Sequence, residues 1–104
     1  MKVIREGHLY ELEMFEDKSG RYDQSLQFIE KVPTGINNEL RTEFDGTTNE
    51  EVLKVLINRM EYLQNKFPCE ENEMTISCLY ESLYWLEKRT KDRLQRNVEG
   101  KQMK

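Results

Sequence analysis

Three arginines, Arg89, Arg93 and Arg96, fall at i, i+4 and i+7 and share one face of any helix that carries them. A guanidinium is a planar fork that grips phosphate through two hydrogen bonds and stacks on bases, so the cluster suits a phosphorylated, anionic ligand. The surrounding charge agrees. Residues 86–104 hold seven Lys and Arg against Glu87, Asp92 and Glu99, a net of +4, which leaves −8 on residues 1–85 of a chain whose total is −4. An ordinary solvated helix end produces the same pattern, because cations are favoured near the negative C-terminal end of the helix dipole. The negative total argues against non-specific binding to nucleic acid, so neither DNA nor RNA is an expected partner.

Other chemistry is thinly represented. Cys69 and Cys78 make no disulfide framework, and the lone histidine, His8, is far from both in sequence, so a closed metal site lacks ligands. No Gly-rich phosphate loop, paired-histidine motif or G-x-S-x-G sequence is present. Glu70 and Glu71 are adjacent carboxylates, but two acids at a helix start are favoured by the dipole alone. These residues point away from catalysis, and no metal or cofactor is expected. With 104 residues, no apolar run of roughly 18 and no leader pattern, the chain reads as one soluble, cytoplasmic domain.

The elements that must carry these side chains follow two different periods. From Leu9 to Phe15 apolar and polar residues alternate, a strand pattern; Asp17-Lys18-Ser19-Gly20 is a turn signal; Tyr22 to Val32 is a second strand candidate. Pro33-Thr34-Gly35 and Asn37-Asn38 break the chain before a third strand from Glu39 to Phe44. Then the period changes. Thr47 and Thr48 precede Glu50 and Glu51 by three residues, a capping-box pattern. Behind them Leu53, Leu56, Met60, Leu63 and Phe67 step by 3, 4, 3 and 4. Pro68 ends that helix, and a second, Glu71 to Arg96, carries Ile76, Leu79, Leu83 and Leu86 at the same spacing. The seam continues into Thr90, Arg93 and Asn97, so the arginine cluster adjoins an apolar stripe and not open solvent alone. The expected fold is α+β: a three-stranded antiparallel meander (1–46), an antiparallel two-helix hairpin (47–97) and a flexible tail (98–104). Tyr84 and Trp85 are expected in packing or in a subunit interface.

Several short motifs in this order resemble one family. They are Asp45-Gly46-Thr47-Thr48-Asn49-Glu50-Glu51, Phe67-Pro68-Cys69-Glu70-Glu71-Asn72, Trp85-Leu86-Glu87-Lys88-Arg89-Thr90-Lys91-Asp92-Arg93 and Val98-Glu99-Gly100. Over about 55 residues they resemble the phage Thoeris anti-defence sponges, whose helical hairpin is similar to that of the anti-CBASS sponges. The resemblance implies a homo-oligomer that binds isomers of cyclic ADP-ribose made by TIR enzymes, at sites between subunits, without degrading them. Its place of action would be the cytoplasm of the infected bacterial host. It also implies signal-binding roles for Tyr62, Asn72 and Arg89, and in some members a separate site for cyclic di- or trinucleotides in a hexamer; Arg96 and the basic end are the candidates for that site. The chain departs from the family pattern at Glu70, where arginine is expected, at Tyr62, where phenylalanine is common, and at Asn97, where glycine is expected.

Geometry adds a constraint of its own. Asn72 and Arg89 are 17 residues apart on one expected helix, about 25 Å at 1.5 Å per residue. That exceeds the span of a cyclic dinucleotide-sized ligand, while Tyr62 and Asn72 share the turn end. Two hairpins packed antiparallel bring the turn end of one beside the open end of the other, and a two-fold dimer then creates two equivalent pockets, so dimerisation is a requirement of the expected site. There Tyr62 can stack on a purine, Asn72 can donate to and accept from a base or ribose edge, and Arg89, joined by Arg93, can neutralise a pyrophosphate. The competing reading is a regulatory hairpin that docks another protein through its basic end.

Overall fold

The computed structural model describes residues 1–21, 23–102 and 104. The described residues form two compact units, Met1–Thr48 and Asn49–Lys104.

The first unit contains five short strands. β1 (Lys2–Arg5), β2 (Leu9–Leu12) and β3 (Gln24–Gln27) form a three-stranded antiparallel sheet in that order, and β4 (Glu30–Pro33) pairs with β5 (Leu40–Phe44) in a separate hairpin. The α+β class and the three-stranded antiparallel sheet agree with the sequence, but the strands that build the sheet differ. β1 was not anticipated; it pairs Lys2 with Glu11 and Val3 with Tyr10. The hairpin closes where the His8 amide donates to the Arg5 carbonyl at 2.9 Å, with Gly7 at a φ of 77°. The alternating pattern to Phe15 outlasts its strand, which ends at Leu12 and leaves Phe15 exposed. The long second strand is split. At Phe28 and Ile29 the chain changes partner: the Phe28 amide donates to the His8 carbonyl, and the Ile29 amide to the Thr47 carbonyl. Tyr22, expected to open that strand, lies outside the described residues. In the β4–β5 hairpin, Asn37 and Asn38 both adopt positive φ, 49° and 60°, and the Glu39 amide bonds the Ile36 carbonyl, the geometry a two-residue turn of type I′ demands.

Gly46 marks the end of this unit. A Cβ there would lie 2.7 Å from the Phe28 carbonyl carbon, so no side chain fits. The close approach allows the Thr47 amide to donate to the Gln27 carbonyl at 2.8 Å. Arg5 joins the two sheets: its guanidinium pairs with Glu30 on β4 and lies 3.9 Å from the Phe44 ring centre on β5.

The second unit is the helical hairpin, α1 (Asn49–Lys66) and α2 (Glu70–Gln95). The α2 seam is as the spacing predicts, with Ile76, Leu79, Leu83 and Leu86 half-buried. On α1 Leu53, Met60 and Leu63 are half-buried as the spacing predicts, but the seam departs from it at two positions. Ile57, only 5% exposed, is the buried centre, whereas Leu56 is exposed and Phe67 is 74% exposed. The Tyr80 hydroxyl donates to Glu61 at 3.1 Å and ties α2 to α1. Among the described residues no helix is long and apolar enough to cross a membrane.

Candidate ligand-binding residues on the helical hairpin

The turn end of the hairpin is held by Cys69. As N-cap of α2 it has extended backbone angles (φ −154°, ψ 160°), and its sulfur accepts the Asn72 amide at 3.4 Å. Its own amide donates to the Gln64 side chain at 3.1 Å, which locks the Phe67-Pro68-Cys69 turn against α1. With the backbone amide of Asn72 committed to the cap, its half-buried side-chain amide makes no hydrogen bond among the described residues. Tyr62, one turn before the end of α1, exposes about half of its surface, and the Lys66 ammonium lies 5.0 Å from its ring centre. The two candidates from this end therefore present uncommitted polar and aromatic groups.

The open end is built differently. Arg89 is exposed and has no ion pair or hydrogen bond among the described residues, because its neighbour Lys88 pairs with Asp92 instead. Arg96 is exposed as the C-cap of α2 and donates to the Lys104 carbonyl. Arg93 departs from the expectation of a phosphate ligand. It is 5% exposed; its Nε donates to Glu99 at 2.9 Å, and its terminal nitrogen to the carbonyls of Val98 (2.9 Å) and Lys101 (2.8 Å). The reason is the way α2 ends. Asn97 takes the left-handed conformation (φ 59°), its amide bonds the Leu94 carbonyl and the Val98 amide bonds the Arg93 carbonyl, a Schellman motif that turns the chain back. Val98 is thereby buried, so the tail expected to be flexible from residue 98 is in part held to the helix. Met103 lies outside the described residues.

The described residues at this end line a larger and a smaller concavity. The larger, about 900 Å³, lies between the start of α1 and the last turns of α2 and includes Glu50, Lys54, Tyr84, Glu87 and Lys91. Its carboxylates suit an anion poorly, and none of the expected ligand residues lines it. The smaller, about 260 Å³, is lined by Trp85, Lys88, Arg89, Asp92, Arg96 and Lys104. Four cationic side chains and one indole there surround one side-chain carboxylate, itself paired to Lys88, and the Lys104 main-chain oxygen that accepts from Arg96.

Asn72 and Arg89 both lie within the unbroken α2, so the separation of about 25 Å stands. One hairpin brings Tyr62 and Asn72 to one end and leaves Arg89 at the other. The structural parts that sequence reasoning missed are the Cys69 cap, the Gln64 brace and the Arg93 clamp. A cysteine at an N-cap carries no strong propensity signal, and the clamp needs partners five to eight residues downstream.

Comparison with known proteins places these residues in context. The chain is 49% identical over 57 residues to a protein named Thoeris anti-defense 1 from Bacillus phage SBSphiJ7. The motif resemblance to the phage Thoeris anti-defence family is thus matched by sequence identity. The alignment takes in 54% of this chain and 40% of that protein, so less than half the length of the relative is represented. No family model matches the chain.

Proposed function

We propose that this protein is a phage anti-defence factor that acts inside the infected host by binding and sequestering a cyclic ADP-ribose-type signal of Thoeris defence without degrading it. The pocket is assembled from two copies: Tyr62 and Asn72 of one and Arg89 of the other. The observation that carries the reading is the distribution of free groups. Tyr62 and Asn72 at one end of the hairpin and Arg89 at the other leave their ligand-binding groups without hydrogen-bond or ion-pair partners among the described residues, apart from the Tyr62–Lys66 ring contact. A relative named for Thoeris anti-defence supports the biological setting. Exposed apolar side chains on the same unit, Leu56, Phe67, Met74, Tyr84, Trp85 and Leu94, support a second copy as the missing wall.

The residue chemistry divides the work. The Tyr62 ring stacks on the purine, the Asn72 amide reads a base or ribose edge, and Arg89 neutralises the pyrophosphate in a pocket that desolvates both charges. A melting scan with cyclic ADP-ribose isomers and cyclic di- and trinucleotides tests this. At 100 times the dissociation constant, binding adds about 2.7 kcal/mol. For a domain of this size that raises the midpoint by on the order of 10 °C. Intact ligand recovered from the heated complex is the expected result. No shift with any of these nucleotides, or recovery of an opened product, overturns the reading.

A further inference from the structure

Arg93 is the only charged side chain among the described residues that is buried to this degree, and it lies one turn from Arg89 on α2. A buried guanidinium is costly unless its donors are matched. The Glu99 carboxylate and the Val98 and Lys101 main-chain carbonyls, which belong to the segment that follows the helix, are among the groups that match them. That same segment reaches the depression beside Arg89: Lys104 forms part of its wall, and Arg96, another wall residue, donates to the Lys104 carbonyl. Two of the four cations around Trp85, Arg96 and Lys104, are therefore tied to the segment that one buried arginine fastens.

We infer that Arg93 is a positioning residue, which promotes anion binding through the C-terminal segment without touching the ligand; the inference rests on the sequestration reading above. Arg93 holds Val98 and Lys101 against α2, and so restrains Lys104 at the wall of the depression, where its main-chain oxygen accepts from Arg96. Glu99 belongs to this device as the counter-charge that keeps the Arg93 fork turned away from the site.

This role and direct contact make predictions of opposite sign at Glu99. If Arg93 only positions, Glu99→Gln loosens the segment and weakens binding. If Arg93 were itself a phosphate ligand, Glu99→Gln would release a guanidinium, remove a nearby negative charge, and leave binding equal or tighter. The experiment is calorimetric titration of cyclic ADP-ribose into the unaltered protein, Glu99→Gln and Arg93→Lys, with the rate of tryptic cleavage after Lys101 followed in parallel. Expected are binding weaker by on the order of tenfold in both variants, and faster cleavage after Lys101. Lysine retains the charge but not the three-way fork, so it should not rescue. Equal or tighter binding by Glu99→Gln, or unaltered binding with a released segment, overturns the inference while the sequestration reading stands. No binding by the unaltered protein overturns the sequestration reading and the inference with it. Should Arg93→Lys fail to fold, the Glu99→Gln arm decides, because Glu99 is 41% exposed and its replacement leaves no buried gap.

Discussion

The two ends of α2 are finished by opposite means. At the start, one short side chain, Cys69, caps the helix, and the functional candidate Asn72 gives only its main-chain amide to hydrogen bonding among the described residues. At the far end, a functional-looking arginine is consumed: Arg93 is spent on closing the helix, while Arg89, one turn earlier with the same side chain, has no ion pair or hydrogen bond among the described residues. Residue type is thus a poor guide to role. What separates the two arginines is whether the following segment supplies acceptors, and only Arg93 lies within reach of Glu99 and the carbonyls of Val98 and Lys101.

The sharpest way to break this contrast is to truncate both arginines and read two quantities. Arg89→Ala should weaken cyclic ADP-ribose binding by roughly 10- to 100-fold, the worth of one charge-assisted contact. Its melting temperature should barely change, since substitutions at exposed positions stay within about 0.5 kcal/mol. Arg93→Ala should cost about 2–3 kcal/mol of stability through lost bonds and unsatisfied carbonyls. Scanning calorimetry without ligand separates them; equal melting points for the two variants would end the distinction.

Asn97 offers a smaller test at the same end. Its φ of 59° favours a residue without a Cβ, so Asn97→Gly should be neutral or gain a few tenths of a kcal/mol, and Asn97→Ala should lose about 1 kcal/mol. Urea titration of the pair checks the order, and the reverse order would mean that the left-handed cap does not form in solution.

At the start of α2, sulfur is a weak acceptor. Cys69→Ser should stabilise the helix by about 0.5 kcal/mol and leave ligand binding intact, since the Asn72 amide keeps its partner. A drop in midpoint would show that the thiol serves in another way. The smallest effect concerns pH. The bond to Glu61 pushes the Tyr80 phenol up from its usual value near 10, by stabilising the protonated form. Its contribution is present below that usual value and is lost as pH rises through the raised one, so Tyr80→Phe should flatten only the alkaline limb of a stability profile.

The helical unit was the more legible half of the sequence. Pro68, the Thr and Glu residues near 47–51 and the 3–4 spacing located both helices, because an 18- or 26-residue helix averages over local noise. The one-step error on α1, Leu56 for Ile57, arose because both fit an apolar arc and only packing against α2 chooses between them. The β unit was harder. Nothing in Gln27-Phe28-Ile29-Glu30 resembles a turn, yet the chain changes sheets there, because its new partner is Thr47, held close by Gly46. β1 was overlooked since four residues carry too little alternation; Gly7 next to it was the available signal. Within the candidate site, the placement of Tyr62, Asn72 and Arg89 at opposite ends followed from sequence position and helix rise. The role of Arg93 did not, since it depends on a chain reversal that a left-handed asparagine permits.

The chain contains one tryptophan, and it stands among the cations of the smaller depression, 57% exposed and edge-on to Tyr84 at 5.3 Å between ring centres. Its emission therefore comes from a single known address. A base laid on the indole would quench it, and burial beneath another subunit would move it to shorter wavelength. The molecule carries its own optical gauge, able to time the arrival of a ligand and the meeting of two copies separately, without any dye.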